Sequence, residues 1–302
     1  MAVLKQDTFQ AKDIIVPFYL DHAHVKGRLV RLGNEGKKVV ANHGYPDLVN
    51  QYISEVIVLA AVLSIDIKYD GIFTLQISRQ PDHQSLIRLI TVDINTQGHI
   101  RAYAQWDEQA LKDYNTMTSA QPSLQEVFGQ AYIVFTADLA QQGERYQAIV
   151  ELQGRTLSDS MHHFFRQSDQ VPTGLVLYSQ PASPAQFIAG AVILQRLPVS
   201  LEQNPEQQED DWLANLSLLG TLSKHELLDT DLSHEQLLYR LFHERNLRIL
   251  EPKLLKAQCS CSLERIQKML ASFSLEDQKK MATEGKIEIV CEFCNTPYTV
   301  VI

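Results

Sequence analysis

Apolar and polar positions alternate by twos over much of the first two hundred residues and fall at helical spacing beyond them. KGRLVRLG (26–33) alternates as a strand, and the turn HGYPD (43–47) precedes the most apolar run of the chain, VIVLAAVLSI (56–65). That run lies between Glu55 and Asp66 and has about half of the ~20 residues a membrane-spanning helix needs, so it predicts a buried core helix. GIFTLQI (71–77), SLIRLITVDI (85–94) and HIRAYA (99–104) are rich in β-branched and aromatic residues, with turn chemistry in NTQG (95–98), and predict an antiparallel meander. AYIVFTAD (131–138) and RYQAIVELQ (145–153) flank a polar, glycine-bearing connection and predict a hairpin.

TLSDSMHHFFRQSDQ (156–170) sets Leu157, Met161, Phe164 and Phe165 at helical spacing, and the strands TGLVLYS and FIAGAVILQRLP follow it. Strands with helices between hairpins are the α+β pattern. At Glu202 the composition changes: EQNPEQQEDD (202–211) carries five acids, no base and a proline, and marks the edge of the main domain. Beyond it WLANLSLLGTLSKHELL and SHEQLLYRLFHE are leucine-rich helices. A segment running only from Asp210 to His243 is too short to bury its own leucines, so it is expected to lie on the main domain, held by packing that can be released. Trp212, Leu213, Leu216 and Leu219 are expected to form its packing face. The division predicted is a strand-rich core domain at 1–200, a helical linker at 201–255 and a small zinc-binding domain at 256–302.

The chemistry is concentrated at that last piece. The chain has four cysteines, in CSC (Cys259, Cys261) and CEFC (Cys291, Cys294), and none elsewhere. Between the pairs, Leu263, Ile266, Met269, Leu270 and Phe273 share a helical face and SLED (274–277) opens a second helix. KIEIVCEFCNTPYTVVI then reads as strand, two-cysteine turn and strand, which is half of a four-thiolate zinc site. The C-x-C spacer is unusual, since most zinc ribbons use C-x-x-C at both ends; unrelated structural thiols are the competing account. A piece of this size seldom has a self-sufficient core, so its fold is expected to depend on the metal. Thiolates are also the oxidisable form of cysteine, and in each pair the second thiol stands beside the first, able to resolve a sulfenic acid.

Composition narrows the rest. With 45% hydrophobic and 21% charged residues the chain is expected to fold, and a net charge of -9 speaks against a nucleic-acid partner. The start of the chain lacks a secretory pattern and no membrane span is expected, so a cytoplasmic protein is predicted, where paired cysteines mean metal or redox chemistry. H-E-x-x-H, the phosphate loop and the G-x-S-x-G elbow are absent, and no enzyme activity is predicted. His162 with His163, and His22 with His24, are expected to be ordinary structural pairs, because no carboxylate or cysteine joins them at ligand spacing.

CSCS and IEIVCEFCNTPY, together with GRLVRL, HGYP, IKYDGIFTLQI, HHFFRQSDQVPT, VILQRLP and HEQLLYRLFHERNLRILEP in that family order, resemble the 33 kDa heat-shock protein family over nearly the full length. The resemblance implies an ATP-independent holdase chaperone, inactive while reduced with one zinc ion on Cys259, Cys261, Cys291 and Cys294. It also implies activation by oxidation to the disulfides Cys259–Cys261 and Cys291–Cys294 with zinc release, binding of unfolded client proteins, and a homodimer in the oxidised form. Two departures, the acidic 202–211 stretch and a chain that runs eight residues past Cys294, bear on client preference and on hairpin stability. A different class of function, a permanently structural zinc ribbon docking a protein or nucleic-acid partner, is separated from this one by its insensitivity to peroxide.

Overall fold

The computed structural model describes residues 13–21, 24–64, 71–117, 122–139, 144–169, 171–180, 188–198 and 205–302. His22, the first acidic residue of the 202–211 stretch and the division at 200/201 lie outside them. The chain begins with the hairpin β1 (Ile14–Leu20) and β2 (Val25–Leu32), then passes through α1 (Asn34–Val40) into the long helix α2 (Asp47–Ser64). The meander follows as β3 (Gly71–Arg79), β4 (Ile87–Asn95) and β5 (His99–Trp106). Helices α3 (Glu108–Met117) and α4 (Leu124–Phe128) lead to the hairpin β6 (Ala131–Leu139) and β7 (Glu144–Glu151). Helix α5 (Leu157–Phe164) and the strands β8 (Thr173–Ser179) and β9 (Ala189–Arg196) complete this region. Then come α6 (Pro205–Gly220), α7 (Lys224–Leu228), α8 (His234–Phe242) and the short strands β10 (Leu247–Ile249), β11 (Lys253–Leu254) and β12 (Lys256–Ala257). The cysteine end holds α9 (Leu263–Leu270), α10 (Leu275–Met281), β13 (Lys286–Val290) and β14 (Pro297–Val301).

The α+β class holds: among the described residues, two six-stranded sheets have a helix between them. The first runs β10-β1-β2-β9-β8 with β11 also on β1, and the second runs β12-β5-β4-β3-β6-β7. Helix α2 touches strands of both sheets. Its second half, 56–63, is apolar all the way round, so it is stable only where every face is covered, and 72% of the helix is buried inside the protein. It starts nine residues before the predicted apolar run, because Asp47 suits the positive end of the helix dipole and Pro46 accepts the first backbone bond, from Asn50, at 2.9 Å. The helix predicted over 156–170 ends as α5 at Phe164 and closes in a π turn, Phe165–Asp169.

The outer face of the first sheet is covered by α6, α7 and α8. Phe18, Val192 and Leu194 of the sheet join Trp212, Leu227 and Phe242 in one apolar cluster, in which Phe18 and Phe242 stack at 5.7 Å. The leucine-rich helices therefore do lie on the strand-rich region. One residue of their predicted face is misassigned: Trp212 and Leu219 are buried and Leu216 packs beside them, but Leu213 is 50% exposed. Positions 212, 216 and 219 follow helical spacing, whereas 213 is turned about 100° from Trp212, toward solvent. His162 bonds the Leu175 carbonyl through Nε2 at 3.2 Å, a structural role.

Candidate metal centre

The two cysteine pairs reach one point by different routes. Strand β12 runs parallel to β5, and the Gln258 amide donates to the Ile100 carbonyl at 3.0 Å, so Cys259 leaves directly from the edge of the second sheet. After Cys261, Ser262 caps α9 by accepting the Arg265 amide at 3.2 Å. The second pair sits in the turn between β13 and β14, paired from Lys286↔Val301 to Val290↔Pro297. This turn is closed by Cys291 N–H to the Thr296 carbonyl at 3.0 Å and Asn295 N–H to the Cys291 carbonyl at 2.7 Å. Asn295 has φ 57°, a left-handed conformation that asparagine tolerates well.

All four sulfurs lie within 4.8 Å of one another, and all four thiols are free. A tetrahedral ion with metal–sulfur bonds near 2.3 Å needs sulfurs about 3.8 Å apart. Cys259 and Cys291 stand at 3.8 Å, and Cys261 and Cys294 at 3.3 Å. The four cysteines are thus positioned to bind a metal ion, with these close sulfur contacts running between the two loops.

Ionisation of the thiols is uneven. Burial opposes charge on Cys294, but the Thr296 hydroxyl at 3.2 Å, the Cys261 thiol and the Thr296 amide outweigh it and bring this thiol down to about 7. Burial pushes Cys261 up to about 12 despite the Tyr298 hydroxyl at 3.1 Å, and burial also raises Cys291. Neighbouring thiols cannot all carry charge in the absence of a cation, whereas a bound metal favours the thiolate at each ligand.

The centre is docked on the main region through contacts that the sequence did not disclose. Arg101 of β5 stacks its guanidinium 4.1 Å from the centroid of the Phe293 ring and donates to Ser260 Oγ at 2.7 Å. It is held in place by Asp93, its register partner on β4, through bonds of 2.8 and 2.6 Å. Asn42 Nδ2 donates to the Cys294 carbonyl at 3.3 Å, Asn295 Nδ2 donates to the Asn42 carbonyl at 2.7 Å, and His43 Nε2 lies 2.9 Å from the Glu292 carbonyl. The motif HGYP, legible only as a turn, therefore also forms part of this dock. Arg101 and Asp93 occupy ordinary alternating strand positions, and the one signal for them was the β4–β5 register, which a meander leaves open.

The core of this end is small: Ile266, Leu270 and Ile287 are its buried hydrophobic residues among those described, with Ala282, Ile289, Tyr298 and Val300 packed partly buried against them. Of the predicted α9 face, Ile266 and Leu270 are buried, but Leu263, Met269 and Phe273 remain 43 to 48% exposed. The two-stranded sheet is too narrow to cover the whole stripe.

Comparison with known proteins agrees with this architecture. The family model "Hsp33 protein" matches residues 13–301. A 33 kDa chaperonin of Caulobacter vibrioides (strain NA1000 / CB15N) is 31% identical over 99% of this chain and 98% of its own length. A 33 kDa chaperonin of Pseudomonas syringae pv. syringae (strain B728a) is 32% identical over 95% of this chain and 90% of its own length. The crystal structure of the 33 kDa chaperonin (heat shock protein 33 homolog) from Thermotoga maritima superposes with a TM-score of 0.78, covering 96% of this chain and 95% of that one at 19% identity, a likeness of fold.

Proposed function

The chain belongs to the Hsp33 family of chaperones, and from that premise we propose that it is a redox-gated, ATP-independent holdase for unfolding proteins. The observation that carries the gating is the pairing of four clustered sulfurs with a domain whose own core is only Ile266, Leu270 and Ile287. The donor set fits zinc, which prefers four thiolates in a closed structural site. Zinc, when bound to Cys259, Cys261, Cys291 and Cys294, supplies the cross-link that joins the 259–261 loop to the β13–β14 turn. No other cofactor or catalytic residue enters this reading.

Oxidation acts on the cysteines themselves. A thiolate sulfur attacks the peroxide oxygen, the O–O bond breaks and, with a proton, water leaves; the product is a sulfenic acid. The neighbouring thiolate then displaces hydroxide, which takes up a proton, and a disulfide forms within the pair. Two peroxides make two disulfides, Cys259–Cys261 and Cys291–Cys294, and remove the four metal-binding thiolates. The 256–302 unit then unfolds, the linker at 201–255 leaves the 1–200 core, and apolar surface becomes available to unfolded clients in the cytoplasm, in a homodimer.

Light scattering from a heat-unfolding client tests this, with the protein either reduced and zinc-loaded or pretreated with peroxide at an unfolding temperature. Suppression of aggregation by the oxidised sample alone is the expected result. Suppression by neither sample overturns the gated holdase and leaves a zinc-stabilised docking module.

A further inference from the structure

Central strand β2 buries an arginine on each of its faces. Arg28 points toward α2 and bonds the Val62 carbonyl at 2.5 Å, inside the main region. Arg31, 6% exposed, points the other way, beneath the linker helices. Its Nε donates to the Leu227 carbonyl at 2.6 Å, Nη2 to the Glu226 carbonyl at 2.9 Å and Nη1 to the Leu232 carbonyl. Glu226 and Leu227 lie in the last turn of the five-residue helix α7, where the Asp229 amide reaches the Glu226 carbonyl at 3.4 Å; the guanidinium adds a second donor to that carbonyl and takes the Leu227 carbonyl as well, so it caps this helix end from the sheet. Burial pulls Arg31 down to about 10, with the Asp229 charge opposing, so it is a cation at neutral pH.

Two glycines complete the seat. A Cβ on Gly174 of β8 would come within 2.4 Å of Leu216 Cδ2, and one on Gly190 of β9 within 2.9 Å of Leu227 Cγ. Neither glycine has a left-handed φ, so close approach of the linker leucines, and not backbone conformation, is what calls for glycine there. Apolar contacts alone are non-directional and tolerate sliding. Three directed bonds from a buried cation fix a single register and leave a charge without its carbonyls if the linker shifts.

We infer that Arg31, seated with Gly174 and Gly190, is the positioning residue of the linker: a latch on the core, separate from the cysteine centre, that sets how readily α6–α8 leave the sheet. This rests on the linker release proposed above, but its test does not. A cleft of about 520 Å³ borders the guanidinium, walled by Leu228, Asp229, Asp231 and His234, so water reaches the contact as soon as this turn lifts.

The test compares the reduced, zinc-loaded full chain with its variants Arg31→Met, Arg31→Lys and Gly190→Ala by amide hydrogen exchange. Thiol-bound metal is measured in parallel. In Arg31→Met the amides of α6–α8 are expected to exchange about tenfold faster or more. Those of β1 and β9 should keep their protection, the metal should stay bound, and Arg31→Lys should restore part of the protection. Gly190→Ala should loosen the same helices, while alanine is itself the better strand residue, so poor folding of Arg31→Met does not remove the test. Unchanged linker exchange in both Arg31→Met and Gly190→Ala overturns the latch, and so does metal loss accompanying the opening. A failure of the holdase reading shows instead in the wild type, as absence of client protection after oxidation.

Discussion

The two-sheet region and the cysteine end keep their folds by different means. Helix α2 is covered by strands of two sheets, and the cluster around it includes Ile53, Leu59, Leu75, Val92, Phe128 and Met161, none more than 1% exposed. The cluster at the cysteine end has three buried residues, none below 4% exposed. At about 25 cal/mol per Å² of apolar area the first supports itself, whereas the small core of the second leaves a deficit of the kind that a metal on four thiolates offsets in small zinc peptides, by roughly 10–16 kcal/mol. The oxidation switch proposed above would use this asymmetry, losing one fold while the two-sheet region keeps its own.

The largest effect expected from breaking the comparison is removal of the metal. Chelation of the reduced protein, or Cys291→Ala, should abolish amide protection in α9, β13 and β14, a loss of most of roughly 10 kcal/mol, while α2 and β1–β6 keep theirs. Concerted loss across the whole chain would make the two regions one folding unit.

A smaller effect is expected at their boundary. Phe293→Ala removes the ring under Arg101 and should weaken docking of the cysteine end by about 1–2 kcal/mol, with the metal retained. Faster exchange near Asn42 and His43 at unchanged metal content is the outcome to look for; metal loss would place Phe293 in the fold of the centre itself.

The smallest effect sharpens the description of the platform. Glu55 on α2 accepts Ser179 Oγ at 2.6 Å and Gln51 Nε2 at 3.2 Å, and its burial raises its pKa. An acid whose folded pKa is raised contributes stability that is fully present below its unfolded value, 4.5, and is lost as pH rises through the folded value. Glu55→Gln should therefore stabilise this region at pH 7 by on the order of 1 kcal/mol, read as a higher Tm, and the gain should vanish near pH 4. An equal gain at both values would assign the effect to packing.

Much of this was legible in the chain because it is local. The meander appears as predicted since NTQG offers Gly98 at φ 84° for its turn, and β6 and β7 pair as a hairpin. The cysteine hairpin was legible for the same reason, and clustering of all four thiols at one end suggested their meeting. Leu213 misled because an apolar residue beside a helical stripe reads like a member of it until the sheet surface is known. Arg101, Phe293 and Asn42 carried no local signal, since what they do depends on residues up to 253 positions away.

The sequence by itself determined the classes of structure and the candidate chemistry: strand or helix through side-chain period, turn through glycine, asparagine and proline, a four-thiol metal site through the clustering of the cysteines. These follow from interactions within a few residues. Only the tertiary structure decided that two sheets share one helix, that Arg31 and Arg101 face a linker and a metal centre, and that Gly174 and Gly190 stand beneath leucines. Such placements depend on register and on packing between distant segments, where the free energy of a contact is set by the surface that arrives opposite it.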